Sequence, residues 1–193
     1  TSPEESEHDI FYSGHSSTSI SAALGIATAN LNLGNDDYTI AVIGDGALTG
    51  GMAYEALNNA GRSGTKLIVI LNDNEMSISE NVGSMARYLA AIRTKPEYYR
   101  LKEKTENALH KVPVVGVRIA NIISNVKTRL KNSMYKSTFF EELGFQYMGP
   151  IDGHNIEQLC EALDGAKVVN APVLLHISTV KGKGYDFAEK SPS

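Results

Sequence analysis

The 193-residue sequence contains a single cysteine, Cys160. One thiol cannot close an internal disulfide. Cys160 falls on the pattern Ile156, Leu159, Cys160, Leu163, an apolar face at helical spacing. It is expected as a small buried core residue rather than a nucleophile. The chain lacks any apolar run near the roughly 18 residues of a membrane span, and it lacks a signal-peptide pattern. A reducing, cytoplasmic compartment is the resulting expectation. Thr1 in place of an initiating Met suggests a processed, truncated or trimmed product. There is no basic run, and the net charge is -4, which disfavours a nucleic-acid surface. Repeats and low-complexity tracts are also missing. What is present, 42% apolar and 21% charged residues, is a globular composition sized for one domain, or one with an insertion.

Residues 1–10 are polar and acidic and read as an arm. The segment "SGHSSTSISAALGIATANL" opens with turn chemistry and becomes periodic. Ile20, Ala23, Leu24, Ala27 and Leu31 share one helical face, and Ser16, Ser17 or Thr18 can cap the first turn. Small residues make the rest of this helix thin. "YTIAVIG" predicts a strand with Ile40-Ala41-Val42-Ile43 as a buried run. A helix over about 49–60 follows, closed by Gly61 at a C′ position. "TKLIVILND" predicts a second buried strand, which completes a βαβ unit with parallel strands. Residues 84–135 carry many Lys, Arg, Tyr and Glu and read as a helical insertion punctuated by Pro96 and Pro113. "STFFEELGFQYMG" predicts a short helix feeding a strand, "NIEQLCEALDGAK" a helix, and "APVLLHISTVKGKGY" a strand running into a basic, glycine-rich end. The expected fold is a three-layer α/β sandwich with a mostly parallel sheet, spanning residues 11–193.

Ligands of open parallel sheets bind beyond the carboxyl ends of the strands. Three such ends carry distinctive groups: Gly44-Asp45-Gly46, then Asn72-Asp73-Asn74 with Met76-Ser77-Ile78, then Lys181-Gly182-Lys183-Gly184-Tyr185. The turn Gly14-His15-Ser16 opens the thin helix. Asp45 and Asn74 offer a carboxylate and a carboxamide oxygen, which suit a hard cation such as magnesium that shares its shell with phosphate. Gly46 and Ala47 precede the predicted helix, where their amides can face an anion. A magnesium diphosphate fits this equipment. A mononucleotide on a lysine-bearing phosphate loop does not, because "GxxxxGK[ST]" is missing. A dinucleotide fits badly, because Thr49 stands where G-x-G-x-x-G needs its third glycine.

The spacing of "GDG" to Asn74, 29 positions beyond Asp45, resembles the thiamin diphosphate motif. "GHSSTSISAALG", "VIGDGALTGGMAYEALNNAG", "LIVILNDNEMSISENVG", "FFEELGFQYMGPIDGH" and "KGKGYDFAEK" together resemble the amino-terminal domain of the 1-deoxy-D-xylulose-5-phosphate synthase family. The resemblance spans nearly all of residues 11–190. It implies that Asp45, Asn74 and the carbonyl of Met76 ligate Mg2+. It implies that Gly46 and Ala47 touch the diphosphate, and that Gly14, His15 and Ser16 line the cofactor near its reactive end. Ile78 would sit under the bent cofactor, Tyr185 would contact it, and Lys181 would reach the diphosphate.

The family reaction condenses pyruvate with D-glyceraldehyde 3-phosphate, releasing carbon dioxide and forming 1-deoxy-D-xylulose 5-phosphate for isoprenoid, thiamin and pyridoxal synthesis. Family members are homodimers and about three times longer than this chain. The glutamate that activates their aminopyrimidine lies in a second domain that this chain lacks. The stretch ahead of "GHSS", which carries further active-site histidines in the family, is also absent. The expectation is therefore an incomplete part of the enzyme, inactive alone. Transketolase and 2-oxo-acid dehydrogenases share GDG…N, but "GHSSTSIS" and "NDNEMSISENVG" argue against both. A non-catalytic module that kept the cofactor fold is the alternative of a different class.

Each residue also has a plainer reading. Asp45 alone could be a helix cap, and Asn72 reads as a turn organiser beside Asn74. His15 in isolation would be structural; inside "GHSS" it reads as a hydrogen-bond donor or acid/base. His154 in "IDGH" has no chemical task and reads as turn-stabilising. Glu55 reads as solvated unless it meets a dimer partner. His110 and His176 read as structural.

Overall fold

A computed structural model describes residues 2–10, 12–75, 83–93 and 138–190. The elements are α1 (Ser19–Leu33), β1 (Thr39–Gly44), α2 (Asp45–Leu48), α3 (Gly51–Ala60), β2 (Leu67–Asp73) and α4 (Ser84–Arg93). They continue with α5 (Phe139–Leu143), β3 (Gln146–Asp152), α6 (Ile156–Lys167), β4 (Val173–Ser178) and α7 (Asp186–Lys190). The four strands form one sheet in the order β1-β2-β4-β3, and every pairing is parallel. This is the expected α/β architecture. All four carboxyl ends therefore lie on one edge. Of the predicted insertion, residues 84–93 form α4 and residues 94–135 lie outside the described residues.

The main core lies between the sheet and α1, α3, α4 and α5. Ile20, Ala23 and Ala27 of α1 meet Ala41 and Ile43 of β1, with Leu57 of α3 and Leu89 of α4. Burying a side chain such as Ile20 contributes about 1.5–3 kcal/mol. A capping box starts α5: the Glu141 amide donates to Thr138 Oγ1 at 3.2 Å, and the Thr138 amide donates to Glu141 Oε2 at 2.8 Å. Phe140 stacks on Tyr147 of β3, with ring centroids 6.0 Å apart. Tyr88 fastens α4 to this cluster, its hydroxyl accepting from the Phe139 amide at 2.7 Å.

Several sequence expectations fail here for identifiable reasons. β1 is not buried on both faces: Ile40 is 49% exposed and Val42 59%, while Ala41 and Ile43 are buried. α1 covers one side of this edge strand. Among the described residues α6 packs on the other side of the sheet, but against β3 and β4. Cys160 is exposed, not core, as is Ile156. α6 buries its Ala166 end, near Ile68 and Val173, and leaves its first turns uncovered. Leu31 is likewise exposed, because α1 engages the core through its first two-thirds. Thr18 occupies the N-cap of α1 without a side-chain capping bond; its hydroxyl donates instead to the His15 carbonyl at 2.9 Å.

Gly61 closes α3 in right-handed geometry, φ -59°, not at a left-handed C′ position. Its smallness serves packing, since a Cβ there would sit 2.1 Å from the Leu143 carbonyl oxygen. Gly144 closes α5 at φ 107°, with a Cβ position 2.4 Å from the Gly61 oxygen. The two helix ends thus meet backbone to backbone.

Candidate functional site

The sheet register places the predicted groups. Gly44 pairs with Asn72, so Asp45 leaves β1 one residue beyond that pair and Asn74 follows β2 two residues beyond it. Adjacent strands are separated by about 4.8 Å. Asp45 and Asn74 therefore project from neighbouring strand ends on the same edge. Asp45 is buried, and Asn74 is half-buried. A buried carboxylate beside a carboxamide at a strand end is a donor set that fits a hard divalent cation. Met76 and Ile78 lie outside the described residues, as does His110. Among the described residues no group of three or more His, Cys, Asp or Glu side chains gathers as a metal site. A set drawn from one carboxylate, one amide and one carbonyl does not depend on such a group.

Asp45, Gly46 and Ala47 do not precede a helix; they form it. α2 is a single turn, broken at Thr49-Gly50 before α3 begins at Gly51. The cause is local: the Thr49 hydroxyl folds back onto the Gly46 carbonyl at 2.7 Å. The amides of Gly46 and Ala47 thus belong to a first turn, whose N–H groups have no intrahelical acceptor.

The turn at residues 14–17 docks on this helix. Ser17 adopts a left-handed φ of 66°, and its hydroxyl donates to the Ala47 carbonyl at 2.7 Å. A Cβ at Gly50 would lie 2.4 Å from Ser17 Oγ, so glycine permits the approach. Gly14, His15 and Ser16 are exposed next to this contact. The sequence singled out those three and offered Ser17 only as a helix cap, whereas its hydroxyl ties them to the Asp45 turn.

On the other side, the chain leaving β4 is gripped by its neighbours. The Thr179 amide donates to the Asp73 carbonyl at 2.9 Å, and the Thr179 hydroxyl donates to Asn72 Oδ1 at 2.7 Å. Asn72 therefore bridges two strand ends, which goes beyond organising its own turn. The basic loop follows, with Lys181 and Tyr185 exposed. Glu55 is exposed on α3.

Below the edge runs a buried polar chain. Asp73 Oδ2 is 3.0 Å from His176 Nε2, and His176 Nδ1 is 2.7 Å from the Tyr147 hydroxyl. A neutral imidazole satisfies both contacts, donating Nε2–H to the carboxylate and accepting the phenolic O–H. His176 is thus structural, as its sequence context suggests, and it fixes the residue that precedes Asn74. The spacing of its partners, 103 and 29 positions away, gave no sequence signal.

The fold and this edge define a parallel α/β domain of the kind that holds ligands beyond its strand ends. A family model described as 1-deoxy-D-xylulose-5-phosphate synthase matches residues 1–179. The chain belongs to that family. Proteins of that name from Caldanaerobacter subterraneus and Natranaerobius thermophilus are 57% and 55% identical to it, over 100% and 98% of its length. A third, from Desulforudis audaxviator, is 56% identical over 97%. The chain spans only 31%, 30% and 30% of these relatives.

Proposed function

We propose that the chain is the magnesium- and diphosphate-anchoring part of a thiamin diphosphate-dependent synthase. The reaction is the family's: pyruvate and D-glyceraldehyde 3-phosphate combine, carbon dioxide leaves, and 1-deoxy-D-xylulose 5-phosphate forms. One observation carries the reading in this molecule. Asp45, a buried carboxylate, and Asn74 leave adjacent parallel strands at the same edge.

Asp45, Asn74 and the Met76 carbonyl hold Mg2+, and the amides of Gly46 and Ala47 face the diphosphate. Gly14, His15 and Ser16 line the reactive end, where His15 moves a proton to or from substrate. Lys181 and Tyr185 reach the cofactor from the loop after β4. The assignments of Met76 and Ile78 rest on the family pattern alone. When bound, thiamin diphosphate supplies the nucleophilic carbon and the electron sink. The chain's own residues bind, orient and neutralise charge. A divalent ion between Asp45 and the diphosphate offsets like charges that would be costly to desolvate together. Residues 11–193 act as one cofactor domain, with residues 84–135 inserted and 1–10 as an arm. The working enzyme is a cytoplasmic homodimer whose remaining domains complete the site.

Turnover tests this reading. The full-length protein should consume pyruvate and D-glyceraldehyde 3-phosphate only with both thiamin diphosphate and Mg2+, and the 193-residue chain alone should not. Undiminished turnover without either cofactor, or robust pyruvate decarboxylation by the isolated chain, would refute it.

A further inference from the structure

The loop between β3 and α6 touches the segment leaving β4. Its backbone is fixed on both sides of His154. The His154 amide donates to Asp152 Oδ1 at 2.9 Å, and Asn155 caps α6, its Oδ1 accepting from the Gln158 amide at 3.1 Å. The Gly153 amide donates to the Ser178 carbonyl at 2.9 Å. A side chain on Gly153 would press on Thr179, because its Cβ would lie 2.6 Å from Thr179 Cγ2. Held this way, the His154 imidazole meets the next peptide along: Val180 N–H donates to His154 Nε2 at 2.8 Å. Acceptance at Nε2 sets the neutral imidazole in its Nδ1–H form.

Val180 is where the basic loop begins. Its carbonyl accepts from the Lys183 amide at 3.2 Å, which starts the turn. Gly182 and Gly184 then take left-handed φ values of 74° and 90°, and the Gly184 amide donates to Glu189 Oε1 at 2.7 Å. The loop is therefore compact from Val180 to α7. Orienting the Val180 peptide orients the whole piece that carries Lys181 and Tyr185. Thr179 is already fixed to β2 through Asp73 and Asn72. His154 supplies the contact from the β3 side, one residue further out.

We propose that His154 is a positioning residue for the 181–185 loop, acting through its Nε2 acceptor on the Val180 amide. That the loop serves the diphosphate rests on the function proposed above; that His154 holds the loop does not.

Two variants and two readouts test this. In His154→Ala, amide exchange at Val180 and through the loop should speed up roughly tenfold, as for loss of one hydrogen bond, while α6 amides keep their rates. His154→Gln, whose side-chain oxygen can accept the same N–H, should recover most of the protection. In the full-length protein, thiamin diphosphate affinity should fall in His154→Ala and return in His154→Gln, with kcat at saturating cofactor maintained. Unchanged exchange at Val180, or equal acceleration throughout α6, overturns the positioning role. Faster loop exchange with unaltered cofactor affinity keeps that role and instead removes Lys181 and Tyr185 from the cofactor site.

Discussion

His176 supports the edge from below. It is fully buried and joins Asp73 to Tyr147. Replacing it with Ala leaves a buried carboxylate and a buried phenol without this partner. A hydrogen bond to a charged group is worth about 1.5–3 kcal/mol, and a destabilisation of that order or larger is expected. Urea unfolding of His176→Ala should show it as a lower midpoint, with Tyr147→Phe costing less because the hydrogen bond between His176 and the Asp73 carboxylate is kept. Asp45 was legible in the sequence because a carboxylate at the end of an apolar strand is out of place for packing. Asn74 was legible as a candidate by its carboxamide at a strand end and by its spacing from Asp45. Ser17 and Thr179 were not, since a serine or threonine in a polar turn looks the same whether or not it reaches another element. His154 shows the same limit: its partner lies 26 positions away.

Among the elements, hydrophobic runs and turn residues gave β1–β4, α1, α5 and α6 close to where they lie. Glycines were harder to interpret. Gly61 looks like a helix terminator, yet its backbone is right-handed and its role is to admit the Leu143 carbonyl. Gly144 has both constraints, a positive φ and a close oxygen. Gly144→Ala should therefore destabilise more than Gly61→Ala. The left-handed backbone alone costs an L-residue about 1–2 kcal/mol, and the contact with the Gly61 oxygen adds to it. Thermal unfolding of the two variants compares them directly. Burial within an element depends on what covers it, which periodicity does not report. Thus Ile40, Val42, Leu31 and Cys160 sit at apolar positions of well-predicted elements but on stretches nothing described here covers.

For the molecule as a whole, the sheet topology is decisive. Four parallel strands put every carboxyl end on one edge, so loops far apart in sequence meet there. The 14–17 turn meets α2 through Ser17, and the ends of β2, β3 and β4 are cross-linked through Asn72, Asp73, Gly153 and His154. Parallel sheets are ordinarily covered on both faces, and here the outer face of β1 stays open among the described residues. The chain matches its relatives along its whole length yet spans about 30% of theirs. A divalent cation shared by Asp45 and Asn74 is the premise on which the cofactor role depends. Titration calorimetry of thiamin diphosphate with Mg2+ into the full-length protein and its Asp45→Asn variant tests that premise most directly. The predicted result is Mg2+-dependent binding that weakens by at least roughly a hundredfold in the variant, at or beyond the loss seen for outer-shell partners of metals. Equal affinity in the two proteins, or binding indifferent to Mg2+, would contradict it.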